Sequence, residues 1–566
     1  MSTKLSSDLP LAETPDVNGA FPRLNEQQIE TLAERGERRT TRAGEVLYAQ
    51  GSQTDEFFVI LSGTIAIVDR DGDEERIVRV HGPGRFLGEL GVIEGQPAFT
   101  GAVVVEPGAV LAIPVSSLRE LITSDPVLGD LILRAYLIRR SMLIGLGSGF
   151  RIVGSCYSPD TKRLLEFAAR NRLPHRLIDL DKDEQAENLL RRLGIGVAET
   201  PVVVLGGTDV LRNPSNAELA RRMGLRPESS GADVCDLLVV GAGPAGLAAA
   251  VYGASDGLTV LVKDSVAVGG QAGTTSRIEN YLGFPAGISG AELAERSVIQ
   301  ADKFGAQISV PVEAIKLEAQ AGHYVVGFDD GTEIVAHTVV IATGARYRKL
   351  ALPRLKEFEG TSVFYAATLH EARACRTAPV AIVGGGNSAG QAAVFLAEAV
   401  PKVYLVVRGG DLNENMSRYL VDRVESHPRV EVLLHTEVRE LVGRDGLESI
   451  VVENNRTYER SVLDARSLFV FIGAIPCTAW VSGAVALNED GFVLTGANTA
   501  AASADAWRQL EREPFVLETS CPGVFAAGDV RSGSIKRVAS AVGEGAMAVR
   551  LVHEHFANAG DVTHEP

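Results

Sequence analysis

In the first part of the chain, apolar and polar positions alternate in short runs. RAGEVLYAQGSQTDEFFVILSGTIAIVDRDGDEERIVRVHGPGRF is the clearest stretch. Alternation of this kind, broken by glycines, predicts strands and turns rather than helix, and so a small β-roll or barrel. From about Leu128 the pattern changes. LGDLILRAYLIRRSMLIGL has helical spacing but carries Arg134, Arg139 and Arg140, which a bilayer would not accept cheaply, so it reads as a long amphipathic helix closing the first domain.

Beyond it, FRIVGS, PDTKRLLEFAARNR, HRLIDLD, AENLLRRLG, PVVVLGG, DVLR and NAELARRMG read as strand, helix, strand, helix, two strands and a helix. Two longer units then repeat one plan of strand, glycine turn, helix and strand. They are CDLLVVGAGPAGLAAAVYGASDGLTVLVKDS and APVAIVGGGNSAGQAAVFLAEAVPKVYLVVRGG. The expected organisation is multidomain: a tail at 1–20, a β-roll at 21–147 and a smaller α/β domain at 150–228. A dinucleotide-binding α/β domain at 233–346 and 473–566 is split by a second such domain at 347–472. The alanine-rich segment ANTAAASADAWRQLEREP reads as a surface insertion.

Composition narrows the function. A chain of 566 residues, 45% hydrophobic and 22% charged with 59 glycines, fits roughly three or four soluble domains. The net charge of −17 argues against nucleic acid or an anionic membrane as main partner, since both need a basic face. MSTKLSSDLP lacks the pattern of an export signal. The five cysteines are far apart with no CxxC, so neither a disulfide framework nor a metal site is expected, and reduced thiols in a cytoplasm are the default.

The glycine turns carry the chemistry. In GAGPAG, Gly241 permits the tight turn, Gly243 lets backbone approach a pyrophosphate, and Gly246 packs helix on strand, with Pro244 and Ala245 completing the turn. Asp264 ends the second strand, where it would accept from an adenosine ribose. In GGGNSAG the same places are held by Gly384, Gly386 and Ala389, with Asn387 and Ser388 between. Its second strand ends in Arg408 rather than an acid, which favours NADPH over NADH through the 2′-phosphate.

With VGGQAGTTSRIENYLGFP, VVIATGARYR, FVFIGAIPCTAW and GVFAAGDVRSGSIKRVASAVGEGAMAV, these motifs resemble, in content and order, the low-molecular-weight thioredoxin reductase family. The resemblance implies FAD held by the first glycine turn and Asp264, by Gly269, Gly270 and Gln271, and by Asn280 and Val312. It also implies a turn at Thr343 and Gly344 where the nicotinamide domain is inserted. Gly528 and Asp529 of AAGD would reach the ribityl chain, and Arg537, Val538 and Ala539 would aim a helix start at the flavin pyrimidine edge. The departure is at YAATL: the family carries YCATC there, and Ala366 and Leu369 stand in its two thiol places.

Residues 21–147 resemble the cyclic nucleotide-binding domain family, with eight or so short strands and a phosphate-cassette-like turn containing Gly88 and Glu89. Ala98 holds the place of the family's phosphate arginine. Residues 150–228 resemble the thioredoxin or glutaredoxin fold through Thr200 and Pro201, which match its Thr and cis-proline. Cys156 in GSCYSPD lies at the active-site turn without a resolving partner, where a helix dipole would stabilise a thiolate.

The expectation is an FAD-dependent NADPH oxidoreductase that gives electrons to an unidentified small molecule or redox protein. Three alternatives stand beside it: one-electron transfer as in ferredoxin–NADP reductases, a mixed disulfide through Cys375 or Cys156, and redox sensing without turnover. A homodimer is compatible with the closing helix and the reductase-like block.

Overall fold

The structure is a computed structural model. It describes residues 12–71, 74–88, 95–183, 186–196, 199–206, 209–225, 234–275, 277–320, 322–359, 361–365, 367, 372, 375–444, 446–499, 507–508 and 510–559. Glu89, Ala366 and Leu369 lie outside these residues. The chain forms two compact units, one of residues 1–231, 264–267 and 298–313, the other of 232–263, 268–297 and 314–566.

The first unit begins with α1 (Glu26–Ala33), started by a capping box between Asn25 and Gln28. Six strands follow: β1 (Glu37–Thr41), β2 (Val46–Tyr48), β3 (Glu56–Asp71), β4 (Glu74–His81), β5 (Phe86–Leu87) and β6 (Gly101–Pro114). They form one antiparallel sheet in the order β1-β6-β3-β4, with β2 on β6 and β5 on β3. The short strands expected from the sequence are here merged, because β3 and β6 run unbroken for 16 and 14 residues. Gly63 lies within β3 at φ +86°, and a Cβ on Gly108 of β6 would stand 2.1 Å from the Ser62 carbonyl oxygen. These glycines bend paired strands through register shifts instead of ending them.

Two helices close the roll, α2 (Val115–Ser124) and α3 (Pro126–Leu146). The Asp125 carboxylate accepts from the Val127 and Leu128 N–H groups and caps α3. The long closing helix is as expected, but its polar face is not all solvated, because Arg139 and Arg140 are only 4% and 2% exposed.

The next segment contains β7 (Phe150–Gly154), α4 (Pro159–Arg170), β8 (His175–Asp179), α5 (Ala186–Arg192), β9 (Val202–Leu205), β10 (Asp209–Arg212) and α6 (Asn216–Arg222). The sheet order is β10-β9-β7-β8, with β7 parallel to β8 and antiparallel to β9. Ile152, Leu164, Phe167 and Val203 fill one side of it. The Thr200–Pro201 peptide is cis.

In the second unit, β11 (Val234–Val240) leads into α7 (Pro244–Ser255) and β12 (Val260–Lys263). Strands β13 (Ala314–Gln320), β14 (His323–Phe328) and β15 (Glu333–Ile341) complete the order β12-β11-β15-β14-β13, with a later strand, Val524–Ala526, parallel to β15. The inserted lobe has its own parallel sheet, in which β16 (Val380–Val383) lies between β17 (Val403–Val406) and Ser467–Val470 and is followed by α8 (Asn387–Ala397). Two short antiparallel segments, Ala345–Tyr347 and Ala474–Pro476, join the lobes. The expected surface insertion is anchored at both ends: Thr499 and Trp507 are buried, and Arg512 pairs at 2.6 Å with the fully buried Glu518. No helix among the described residues is long and apolar enough to cross a membrane.

The last helix, α9 (Val538–Ala559), lies against α7. A Cβ on Gly545 of α9 would stand 2.1 Å from the Ala245 carbonyl oxygen, whereas one on the exposed Gly543 would meet nothing within 4 Å. Gly545→Ala is therefore expected to destabilise the protein by about 1–3 kcal/mol or more, from overpacking against backbone. Gly543→Ala should stabilise it by about 0.5–1 kcal/mol through helix propensity. Urea unfolding of the two variants checks the opposite signs.

Candidate functional site

At the end of β11 the chain turns through Gly241 at φ +111°, and its N–H donates to the Lys263 carbonyl at 2.7 Å. A Cβ on Gly241 would sit 2.2 Å from the Ala342 carbonyl oxygen, and one on Gly246 would sit 1.8 Å from the Gly241 carbonyl oxygen. Both positions admit only glycine. Gly243 differs: a Cβ there would meet nothing nearer than the Gly270 Cα at 3.9 Å, so the turn faces open space.

Gly243 is also the N-cap of α7, and no side chain caps it. The helices starting at Glu26, Pro126, Pro159 and Asn216 are capped by an Asn, Asp or Ser side chain, whereas α2 and the helix starting at Arg418, like α7, have no side-chain cap. Uncapped first-turn N–H groups beside an open glycine form a cradle for a diphosphate, favoured by the positive end of the helix dipole. Pro244 and Ala245 form the first residues of that turn. The Gly269 N–H donates to the Ala242 carbonyl at 2.7 Å, and the Gln271 amide donates to the Ala345 carbonyl. Gly270, at φ +53°, faces Gly243.

Asp264 follows β12, and one carboxylate oxygen accepts from the Val266 and Ala267 N–H groups at 2.9 and 3.1 Å. Its carbonyl accepts from the N–H of the buried Val312 at 2.7 Å. Asn280 is exposed. Thr343 Oγ1 donates to the Cys477 carbonyl at 2.8 Å, and the Cys477 N–H donates to the Gly344 carbonyl at 3.0 Å. These bonds fasten the turn to the segments joining the two lobes.

Gly528 turns at φ +79°, and its N–H donates to a Glu544 carboxylate oxygen at 2.7 Å. The same carboxylate pairs with Arg531 at 2.5 Å, both side chains being mostly buried. Asp529 is half-buried, and burial raises its carboxyl above the usual range. Arg537 is exposed, and α9 starts at Val538 and Ala539, where the sequence placed a helix start. Sequence reasoning missed Glu544 and Arg531. An acid on a helix reads as a solvated face, and nothing local indicates that it clamps a distant glycine turn.

The second glycine turn repeats the first. Gly384 has φ +146°, and a Cβ there would lie 2.3 Å from the Phe471 carbonyl oxygen. At Gly386, the uncapped N-cap of α8, the nearest atom would be 3.7 Å away. The Asn387 side chain accepts from the Ser417 N–H at 2.7 Å and so holds a neighbouring loop. Ser388 lines a cavity with Thr274, Thr275, Gln391 and Phe471, and Ala389 is buried. Arg408 is exposed just past β17.

The candidate thiols do not fit their expected roles. Cys375 is buried in the core of the inserted lobe, and its thiol donates to Ser467 Oγ at 3.1 Å. It is packed like an apolar side chain and is not presented to a partner. Cys156 precedes α4, but burial and then the facing Asp179 raise its pKa, and Asp181 stands beside them. Burial first, and Asp179 after it, disfavour the thiolate that position alone would suggest. In the β-roll domain, Gly88 and Ala98 line a cavity beneath α3.

Comparison with known proteins accords with this geometry. Residues 235–545 match the family described as pyridine nucleotide-disulphide oxidoreductase, and residues 38–125 match the cyclic nucleotide-binding domain family. The chain is 34% identical over 322 residues to a thioredoxin reductase of Yarrowia lipolytica, covering 55% of this chain and 95% of the relative. It is 32% identical over 321 residues to the 34.2 kDa protein in the rubredoxin operon of Clostridium pasteurianum, covering 57% and 97%. Among solved structures it is similar to the thioredoxin reductase of T. acidophilum, with 28% identity, a TM-score of 0.51, and coverage of 57% of this chain and 98% of that one.

The raised pKa of Cys156 means that, near neutral pH, less of it is thiolate than in a free cysteine. Its alkylation by iodoacetamide is expected to be slower in the folded protein than in urea, with a pH midpoint above that of a free thiol. Peptide mass mapping across a pH series checks this.

Proposed function

The chain belongs to the pyridine nucleotide-disulphide oxidoreductase family, and from that premise we propose that it is an FAD-dependent NADPH oxidoreductase whose electrons leave without a dithiol of its own. The observation that carries the reading is the pair of open glycine turns at Gly243 and Gly386, each at an uncapped helix start. Two such cradles in one unit suit two dinucleotides, and the bound pair would supply hydride transfer from nicotinamide to flavin.

The residues of this chain would do the holding and aiming. Gly241, Gly243 and Gly246 would bring the start of α7 against the FAD diphosphate, and Asp264 would accept from its ribose. Glu544, by fixing the Gly528 N–H, would hold Asp529 toward the ribityl chain. The start of α9 would place its positive end where negative charge develops on reduction. Gly384, Gly386 and Arg408 would take NADPH, the arginine by its charge on the 2′-phosphate. A dimer, and a thioredoxin- or glutaredoxin-like module at 150–228, belong to the same proposal; the strand order β10-β9-β7-β8 supports the module.

With Ala366 and Leu369 in the thiol places, the acceptor would be a diffusible molecule or a redox protein. The buried Cys375 and the raised Cys156 pKa weigh against a thiol relay. The yellow FAD-loaded protein is expected to be bleached by NADPH under nitrogen and to regain its colour with added acceptors. Persistent colour would overturn the proposal, and the double variant Cys156→Ser/Cys375→Ser should reoxidise at the unchanged rate.

Cofactor preference has its own test. Arg408→Gln is expected to raise KM for NADPH about tenfold, from loss of a charged contact worth about 1.5–3 kcal/mol, with little effect on NADH. Steady-state kinetics with both nucleotides measures it.

A further inference from the structure

Where β17 ends, an imidazole is held beside Arg408. The strand Val430–Leu433 runs parallel to β17, with Leu433 opposite Val406, and two residues beyond these ends come His435 and Arg408. Backbone bonds continue past both strands. The Val407 N–H donates to the Leu433 carbonyl at 2.9 Å, the Thr436 N–H to the Val407 carbonyl at 3.0 Å, and the His435 N–H to the Gly409 carbonyl at 3.0 Å. Arg408 is thus bracketed by the segment that carries His435. Among the described residues, neither nitrogen of the His435 ring has a hydrogen-bond partner.

Two features fix this ring. His435 has φ +53°, a left-handed conformation that persists in a histidine only where its surroundings enforce it. Asn455 does so: its N–H donates to the His435 carbonyl at 2.7 Å while its side-chain amide donates to the Arg408 carbonyl at 3.1 Å. The second feature is Gly410. A Cβ there would stand 2.6 Å from His435 Cε1 and 2.9 Å from Nε2, so the missing side chain is what gives the half-buried ring its seat. The φ of Gly410 lies outside the left-handed region, and its own backbone therefore does not call for glycine.

The charged groups at this corner bear on what it can bind. Arg408 is exposed. Close to it lies the Glu414 carboxylate, with Oε2 3.6 Å from where a Cβ of Gly409 would be. Other acids here are engaged: Glu437 accepts from the Asn455 amide at 3.3 Å and pairs with Arg439 at 3.1 Å, Asp411 accepts from the Asn413 N–H at 2.8 Å, and Glu431 pairs with Lys402 at 2.6 Å. An arginine with a carboxylate close by offers a phosphate less net attraction than an arginine alone. A second donor offsets that loss, and an imidazole supplies one whether neutral or protonated.

With the second glycine turn taken as the NADPH site, the reading on which this rests, we infer that His435 is a further specificity-determining residue of that site. Its imidazole donates a hydrogen bond to the 2′-phosphate beside the Arg408 guanidinium, and Gly410 is the glycine that seats it. NADPH is then told from NADH by two donors on neighbouring strand ends. Glu414 disfavours the phosphate when either donor is lost.

Isothermal titration of the oxidised, FAD-loaded full chain with NADP⁺, NAD⁺, 2′,5′-ADP and 5′-ADP tests the assignment without turnover. His435→Asn is the first variant, because asparagine accepts a left-handed backbone, and its thermal unfolding should match that of the parent. It is expected to bind NADP⁺ and 2′,5′-ADP about tenfold more weakly, as for one lost hydrogen bond to a charged group. Its affinity for NAD⁺ and 5′-ADP should be unchanged. Gly410→Ala, which puts a methyl into the seat of the ring and leaves every donor present, should show the same selective loss. Equal weakening of all four ligands would mean that the ring only packs against the adenosine, and unchanged affinities in both variants that it touches no ligand. Either result, or a parent protein that binds 5′-ADP as tightly as 2′,5′-ADP, would overturn the assignment. Failure of the parent to bind any of the four would overturn the reading of the second turn, and the assignment with it.

Discussion

The contact on which the second unit depends is one of backbone against backbone at the first glycine turn. The Gly241 carbonyl lies where a Cβ of Gly246 would be, the Ala342 carbonyl where a Cβ of Gly241 would be, and the Ala245 carbonyl where a Cβ of Gly545 would be. Three elements, β11 with α7, the end of β15, and α9, thus converge with no side chain between them. Dispersion falls off steeply with separation, so close approach gains contact energy that larger residues would forfeit. The same closeness forces the chain out of β11 through a left-handed turn and starts α7 without a capping side chain. The open, uncapped helix start at Gly243 is thus a geometric consequence of how strand and helices pack.

That constraint also explains what the sequence could reveal. Gly241, Gly243 and Gly246 act on each other within a few residues, so their spacing alone displays the turn, and the repeat at Gly384 and Gly386 is readable for the same reason. Glu544 is different. Its partners, Gly528 and Arg531, become neighbours only when α9 folds back on the preceding turn, and no periodicity encodes that return. In the β-roll, a glycine in a turn and a glycine in a bent strand look alike in composition. Gly63, within a run that the sequence shows as broken by glycines, is therefore a bend in one continuous strand.

The inward-facing arginines failed to show for a further reason. Arg139 and Arg140 sit at positions that helical spacing would assign to water, and tertiary packing buries them, Arg139 against Ala20, Phe21 and Phe86 and Arg140 against Gln96 and Tyr136. Burying a guanidinium is tolerated when carbonyls and ring faces receive its donors and charge, as Ala20, Phe86 and Phe21 do for Arg139. Trp507 and Arg512 in the alanine-rich segment follow the same rule. Arg512 lies 5.2 Å from the Trp507 ring centroid and pairs with the buried Glu518, beyond the segment itself, so composition misjudged its ends.

The surroundings of four of the five thiols bear on how far disulfide chemistry would extend into the proposed enzyme. A sulfur that takes part in exchange must be both ionised and reachable. Cys375 fails on reach, because the core of the inserted lobe closes over it. Cys156 is disfavoured on ionisation, because burial and then Asp179 raise its pKa. Cys521 is pushed up to about 11 by burial, and Cys235 is buried in β11. A mixed disulfide at any of these four would require its environment to open first, at a cost in core packing or in carboxylate solvation. Direct transfer to an acceptor docking near the flavin requires neither, and it uses only the residues that hold and aim the cofactors.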